Sequence, residues 1–301
     1  MTVRTLLKQG HSILTYAEVE TPLLDAMVLL AHALQISKEK LMASLPDPVA
    51  PDAQAAFRAL LDRRCAGTPV SYIVRRKEFY GLTFYVDERV LVPRPDTEVL
   101  VDKVLQLLRG DPRLRRVHDA CTGSGCIAVA LKSNVPRLEV SASDISPDAL
   151  AVATENARSL VGETLATFPS DLLESAPGPF DVITSNPPYL KDKEVEDMRR
   201  LRWPEPSLAL AGGTDGTAVA ARLIRSAPGR LVPGGWLVLE ADPGQMNKLY
   251  ALMDQAGFHT IDVEQDLGGH RRVIAGRLDA APRDPGAAPR TLPAAEGPHD
   301  G

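Results

Sequence analysis

Cysteine is scarce in this chain of 301 residues: Cys65, Cys121 and Cys126 are the only three. They form no CxxC pair and no zinc-ligand spacing, and an odd count gives no even disulfide framework, so a reducing compartment is the better fit. An excess of positive charge is also missing. Lys and Arg number 34 against 39 Asp and Glu, a net charge of −5 and a pI near 5.7. This argues against a protein that grips nucleic acid along a broad face, because neutralising phosphates takes clustered Lys and Arg. Long apolar runs are absent too. The most apolar early stretch, residues 26–34, is short and carries His32, whereas a spanning helix needs about 20 apolar residues. The N-terminus lacks a basic-then-apolar signal pattern, so the expectation is a soluble, cytoplasmic protein with no membrane partner.

What is present is ordinary core material, 44% apolar and 24% charged, in a length that suits about two domains. Residues 1–75 read as helical. Leu23, Met27, Leu30 and Leu34 recur at steps of three and four behind Pro22, a good helix-start residue. A second helix runs over 51–65, with Phe57, Leu60, Leu61 and Arg64 on one side and Gly67 placed to stop it. Residues 76–95 form a connector. The aromatic and β-branched run at 78–92 predicts a β-hairpin, and Asp96 or Thr97 can cap a helix reaching about Leu108.

Within 96–278, strand-like runs at 116–120, 139–143, 164–168, 180–184, 235–240, 259–264 and 271–277 alternate with helical ones. That alternation implies right-handed βαβ units and an α/β fold with a mostly parallel sheet. The link at 265–269 is too short for a parallel crossover, so the last strand runs antiparallel. Residues 279–301 are mostly Ala, Pro and Gly with Leu292 as the single large apolar side chain. Such a tail is expected to be disordered.

Three segments carry chemistry. In Asp119-Ala-Cys121-Thr122-Gly123-Ser124-Gly125-Cys126 a strand ends, two glycines turn the chain and a helix begins. Backbone without Cβ can approach a ligand there, and the helix start offers free N–H groups. Asp144 lies 19 residues beyond Gly125 at the end of the next strand, where a carboxylate accepts from ribose hydroxyls. Glycine loop and acid together point to an adenosine-type ligand and do not separate NAD from S-adenosylmethionine. The third segment is Asn186-Pro187-Pro188-Tyr189, after the strand at 180–184. Two prolines hold it rigid at the carboxyl end of a strand, where ligands bind in such sheets. The six histidines show no metal spacing, and no metal site is expected.

Asn-Pro-Pro-Tyr is the motif of methyltransferases that modify a planar, conjugated NH₂ group. With it stand Thr122–Gly125, Arg63-Arg64-x-x-Gly67-x-Pro69, Glu78–Gly81, Pro93–Glu98, Glu205-Pro206, Gly213-x-Asp215-Gly216 and Arg272-Val273. Over nearly all of 1–278 the chain resembles the HemK/PrmC family, the protein-(glutamine-N5) methyltransferases that act on peptide chain release factors. The resemblance implies a class I S-adenosylmethionine-dependent methyltransferase, Rossmann-like, with a seven-stranded sheet and a small N-terminal helical domain that docks the substrate. It implies a methyl donor held by Cys121, Thr122, Gly123, Ser124, Gly125, Asp144, Asp171, Leu172 and Asn186, and a glutamine amide held by Asn186, Pro187, Pro188 and Tyr189, with Asn186, Pro187 and Tyr189 catalytic. The implied partner is a class 1 release factor acted on by a monomer that needs no direct contact with nucleic acid. The chain departs from the family at Arg75, where glycine is usual, and after Glu240, where His-Gly is common. A ribosomal-protein glutamine or an exocyclic adenine amine are alternative targets. An NAD-dependent oxidoreductase also fits the glycine loop and leaves Asn186–Tyr189 unexplained.

Overall fold

A computed structural model describes residues 1–201 and 203–278. The predicted disordered tail at 279–301 lies outside them. The chain divides into two compact units: Met1–Arg76 with 86–88 and 201–204, and a larger one holding the remaining described residues.

The smaller unit is helical: α1 Val3–Tyr16, α2 Pro22–Ala33, α3 Lys38–Ala43, α4 Pro51–Cys65 and α5 Val70–Val74. Its core is built by Leu6, Leu14, Ala26, Leu29, Leu30, Phe57, Leu61 and Ile73. Pro22 opens α2 as expected, but the buried stripe of α2 is Ala26–Leu29–Leu30, and Leu23 is half exposed. Of the periodic set, Leu30 sits in the core and Met27 and Leu34 pack against it partly buried, so only Leu23 falls outside. Arg64 of α4 donates to Asp25 of α2 at 2.7 Å, so the charged member of the apolar side of α4 ties the two helices together. Arg75 ends α5 in the left-handed region, φ +55°. Glycine adopts that conformation freely, whereas a Cβ in it costs on the order of 1–2 kcal/mol.

The larger unit opens with a short hairpin, β1 Lys77–Phe79 and β2 Leu82–Phe84, paired antiparallel. The predicted hairpin was longer. Beyond Phe84 the backbone turns to side chains for its partners: Asn156 bonds both the N–H and the carbonyl of Tyr85, and Glu205 accepts from the Val92 N–H at 3.0 Å. Those bonds replace a ladder. Then follow α6 Glu98–Gly110, β3 Arg116–Ala120, α7 Cys126–Asn134, β4 Glu139–Asp144, α8 Pro147–Val161, β5 Ala166–Pro169, β6 Phe180–Ser185, α9 Asp192–Arg200, α10 Ala218–Ser226, β7 Leu231–Glu240, α11 Met246–Gln255, β8 Phe258–Gln265 and β9 Arg271–Leu278.

The seven long strands form one sheet in the order β5-β4-β3-β6-β7-β9-β8. β3, β4, β5, β6 and β7 pair parallel. β9 slots between β7 and β8, antiparallel to both. The chain winds outward from β3 to β5, then returns to the other side of β3 with β6. Strand order reverses there, the point at which sheets of this kind leave a crevice outside the carboxyl ends of their strands. Every chemical segment picked from the sequence falls on that edge.

Candidate functional site

The turn after β3 is strained by design. Cys121 has φ +56°, Gly123 +54° and Gly125 +79°. Only Gly123 and Gly125 adopt this without a Cβ penalty. A Cβ built on Gly125 would meet the Cβ of Ala153 at 3.0 Å, so glycine lets α7 start against α8; one built on Gly123 would meet nothing within 4 Å. The turn is pinned from below. Asp119 accepts from the hydroxyls of Thr122 at 2.6 Å and Thr184 at 2.9 Å, and Asn156 donates to the Ser124 carbonyl at 2.9 Å.

Asp144 ends β4. One carboxylate oxygen accepts from Gly123 N–H and the other from Ser146 N–H, both at 2.9 Å. The helix cap of α8 is Ser146, whose hydroxyl accepts from Ala149 N–H, so Asp144 is spared that duty and faces the crevice. Burial pushes its pKa up against these backbone bonds. After β5, Leu172 is held in the left-handed region at φ +53°, its carbonyl accepting from the Ser143 hydroxyl. Its neighbour Asp171 pairs with Arg222 at 2.7 Å.

After β6, the Ser185 hydroxyl donates to the Ala120 carbonyl at 2.7 Å, and Asn186 Nδ2 donates to Thr97 Oγ1 at 3.2 Å. Thr97 was expected as a possible helix cap; it makes no cap bond and receives Asn186 instead. The prolines are braced from behind. Gln245 donates to the Tyr189 carbonyl at 2.8 Å, Leu190 exchanges backbone bonds with Leu210 and Gly212, and a Cβ on Gly212 would meet the Pro188 carbonyl oxygen at 2.7 Å.

Together these loops enclose a cavity of about 230 Å³, lined among others by Cys121, Thr122, Gly123, Ser124, Asp144, Asp171, Leu172, Asn186 and Pro188. Gly125, Pro187 and Tyr189 are not among its lining residues; Pro187 is buried and Tyr189 half-buried. Burial pushes the thiols of Cys121 and Cys126 up to about 12, so they pack as neutral groups and offer no nucleophile. Arg94, on the wall, is held by Glu205, which is 5% exposed.

Residues 5–74 match the family model described as PrmC N-terminal domain, and 96–201 match the methyltransferase small domain. The release factor glutamine methyltransferase of Deinococcus radiodurans is 39% identical, over 92% of this chain and 99% of that one. That of Cereibacter sphaeroides is 40% identical over 89% and 95%. The chain belongs to the release factor glutamine methyltransferase family. Its larger unit has the class I S-adenosylmethionine-dependent methyltransferase fold. Among solved structures it is similar to a methyltransferase from Pyrococcus furiosus, with 17% identity and TM-score 0.50 over 74% of this chain and 98% of that one. It is also similar to the 16S rRNA N2 G1207 methyltransferase of T. Thermophilus in complex with AdoMet and guanosine, with 19% identity and TM-score 0.51 over 67% and 49%. At these identities the likeness is one of fold. No helix among the described residues is long and apolar enough to cross a membrane.

Sequence reasoning missed Thr97 as the partner of Asn186, Gln245 as the brace of Tyr189, and Glu240. Glu240 left one signal: a carboxylate closing the run Trp-Leu-Val-Leu at the end of a central strand.

Asp119 is fully buried, and burial pushes its carboxyl up to about 7, with the Thr122 and Thr184 hydroxyls pulling the other way. Between its ordinary value of 3.8 and about 7, the folded chain therefore holds a proton that the unfolded chain has released, and stability falls as pH rises through that window. In calorimetry Asp119→Asn should flatten this loss, which for one group is on the order of 4 kcal/mol across the window; an unchanged pH slope in the variant contradicts the assignment.

Proposed function

We propose that this protein transfers a methyl group from S-adenosylmethionine to the side-chain amide nitrogen of a glutamine in a class 1 peptide chain release factor. The observation that carries the reading is Asn186: a carboxamide on the cavity wall, its NH₂ tied to Thr97, which leaves its oxygen as an acceptor at the carboxyl end of the central strands.

The crevice suits the donor. Open space beyond Gly123 admits the ligand against the turn at Thr122–Gly125. Asp144 retains lone pairs for a ribose diol, Asp171 and Leu172 bound the adenine side, and Arg94 brings positive charge for an amino-acid carboxylate. When bound, S-adenosylmethionine supplies a methyl made electrophilic by its sulfonium sulfur.

The residues supply orientation and charge stabilisation. A glutamine amide nitrogen is a weak nucleophile because its lone pair is delocalised into the carbonyl. In this reading Asn186 Oδ1 and the Pro187 backbone carbonyl each accept one N–H of the substrate amide. Two acceptors fix the plane of the NH₂ and stabilise the positive charge that develops on nitrogen, and they hold it in a near-attack position at about 3–3.5 Å. The prolines and the Gln245 bond keep those acceptors from relaxing, and the Tyr189 ring walls the amide. The methylated nitrogen sheds its extra proton to water, so no strong base is needed.

Asn186→Ala should lower kcat on a purified release factor by at least about 100-fold, with affinity for S-adenosylmethionine within about threefold, and mass spectrometry should place the wild-type methyl on a glutamine side chain. Turnover of the variant within twofold of wild type, or label on another residue type, contradicts the reading.

The helical unit is in this reading the surface that engages the factor away from its glutamine, a task a short peptide cannot share. With wild-type enzyme, a peptide carrying the glutamine should show a KM at least about tenfold above that of the intact factor; equal KM values overturn the docking role.

A further inference from the structure

Glu240 closes β7 at 1% exposure; neither carboxylate oxygen has a donor in full hydrogen-bond geometry, and the Thr97 hydroxyl and the Asn186 amide are the hydrogen-bonding groups beside it. Neighbouring Val238, Leu237 and Leu239 are fully buried and apolar, so packing of the strand asks for nothing charged here. A buried carboxylate held this loosely is unfavourable for folding. Its neighbours are known: Thr97 and Asp96 from the turn before α6, Asn186 from the Pro-Pro loop and Arg272 from β9 all act on it, and it acts in turn on Tyr189 and on Cys126 of α7. Arg272 is already engaged by Asp96 at 3.1 Å and Asp266 at 3.0 Å.

A carboxamide fits its space in two orientations that exchange oxygen and NH₂. Only one of them offers the cavity an acceptor. Thr97 alone does not choose between them, because a hydroxyl both donates and accepts. An ionised carboxylate accepts only. Placed behind Thr97 and Asn186, it draws their polar hydrogens inward and repels the Asn186 oxygen, which is left facing the cavity. Asn186 Nδ2 does point inward, to Thr97 at 3.2 Å.

Building on the glutamine-methylation reading, we propose that Glu240 is a positioning residue for the reaction: its buried negative charge fixes which way the Asn186 carboxamide faces, and so supplies the acceptor that grips the substrate amide. The charge costs stability and serves turnover. Burial pushes the carboxyl up to about 7, while Thr97, Arg272 and Asn186 pull it back and Asp96 adds to the push. Tyr189 and Cys126, each pushed up to about 12, stay neutral in this range. Asp119 beneath the glycine turn is also raised to about 7, so a variant has to separate the two carboxyls.

The test compares wild type with Glu240→Gln, which keeps the shape and removes the charge. In wild type, kcat for glutamine methylation should rise as pH increases through about 7. In E240Q, kcat at pH 8 should fall at least about tenfold with KM for S-adenosylmethionine within about threefold, the rise through neutral pH should be lost, and Tm at pH 8 should equal or exceed that of wild type. A flat wild-type profile, an E240Q that keeps the rise, kcat within twofold of wild type, or an E240Q with lower Tm or no soluble fold each overturns the proposal. Wild-type enzyme that methylates no glutamine overturns the functional reading instead.

Discussion

In the proposed reading, the constraint around which the site is organised is a side-chain amide that must present its oxygen to one side and its hydrogens to the other. Asn186 meets it by donating to Thr97, a residue 89 positions earlier that reaches the site through the turn before α6. Ser185, one residue before, is fixed to the carbonyl of Ala120, which couples β6 to the start of the glycine turn. The two halves of the crevice are thereby held in register by side-chain bonds at the point where the strand order reverses. A shift of either strand would move acceptor and donor pocket together.

Backbone strain sits at the same edge. Cys121 and Leu172 both hold left-handed conformations that non-glycine residues rarely adopt, and both line the cavity. Each is over-determined by its surroundings: Thr122 N–H is bound to the Ser143 carbonyl, and the Leu172 carbonyl by the Ser143 hydroxyl. One serine on β4 thus stabilises two strained turns. Buried polar groups that a core would exclude, Asp119, Ser143, Thr184 and Glu240, lie along these strand ends. Rigid acceptors in a low-dielectric setting are what amide methylation needs, since the nitrogen must gain positive charge with little help from water.

Much of this was visible in the residues alone. Apolar runs of strand length alternating with helical spacing marked all seven long strands, and the short link at 265–269 forced the antiparallel ending. Asp144 and the glycine turn were readable because their spacing is local. What escaped was long-range. That β9 inserts between β7 and β8 depends on three-dimensional pairing. The stretch after Phe84 looked like strand because it is aromatic and β-branched, yet Asn156 and Glu205 took its backbone groups. Thr97 had the chemistry of a helix cap and was claimed by a distant asparagine. Gln245 and Glu240 follow no spacing rule at all, since each matters through a partner that only folding brings near.

The most direct measurement is a crystal structure of the protein with S-adenosylhomocysteine and a glutamine-bearing release factor fragment. The account predicts the substrate amide nitrogen about 3 Å from both Asn186 Oδ1 and the Pro187 carbonyl oxygen, with its face toward the sulfur. An Asn186 turned with NH₂ to the substrate, or a glutamine seated away from the Pro-Pro loop, would contradict it.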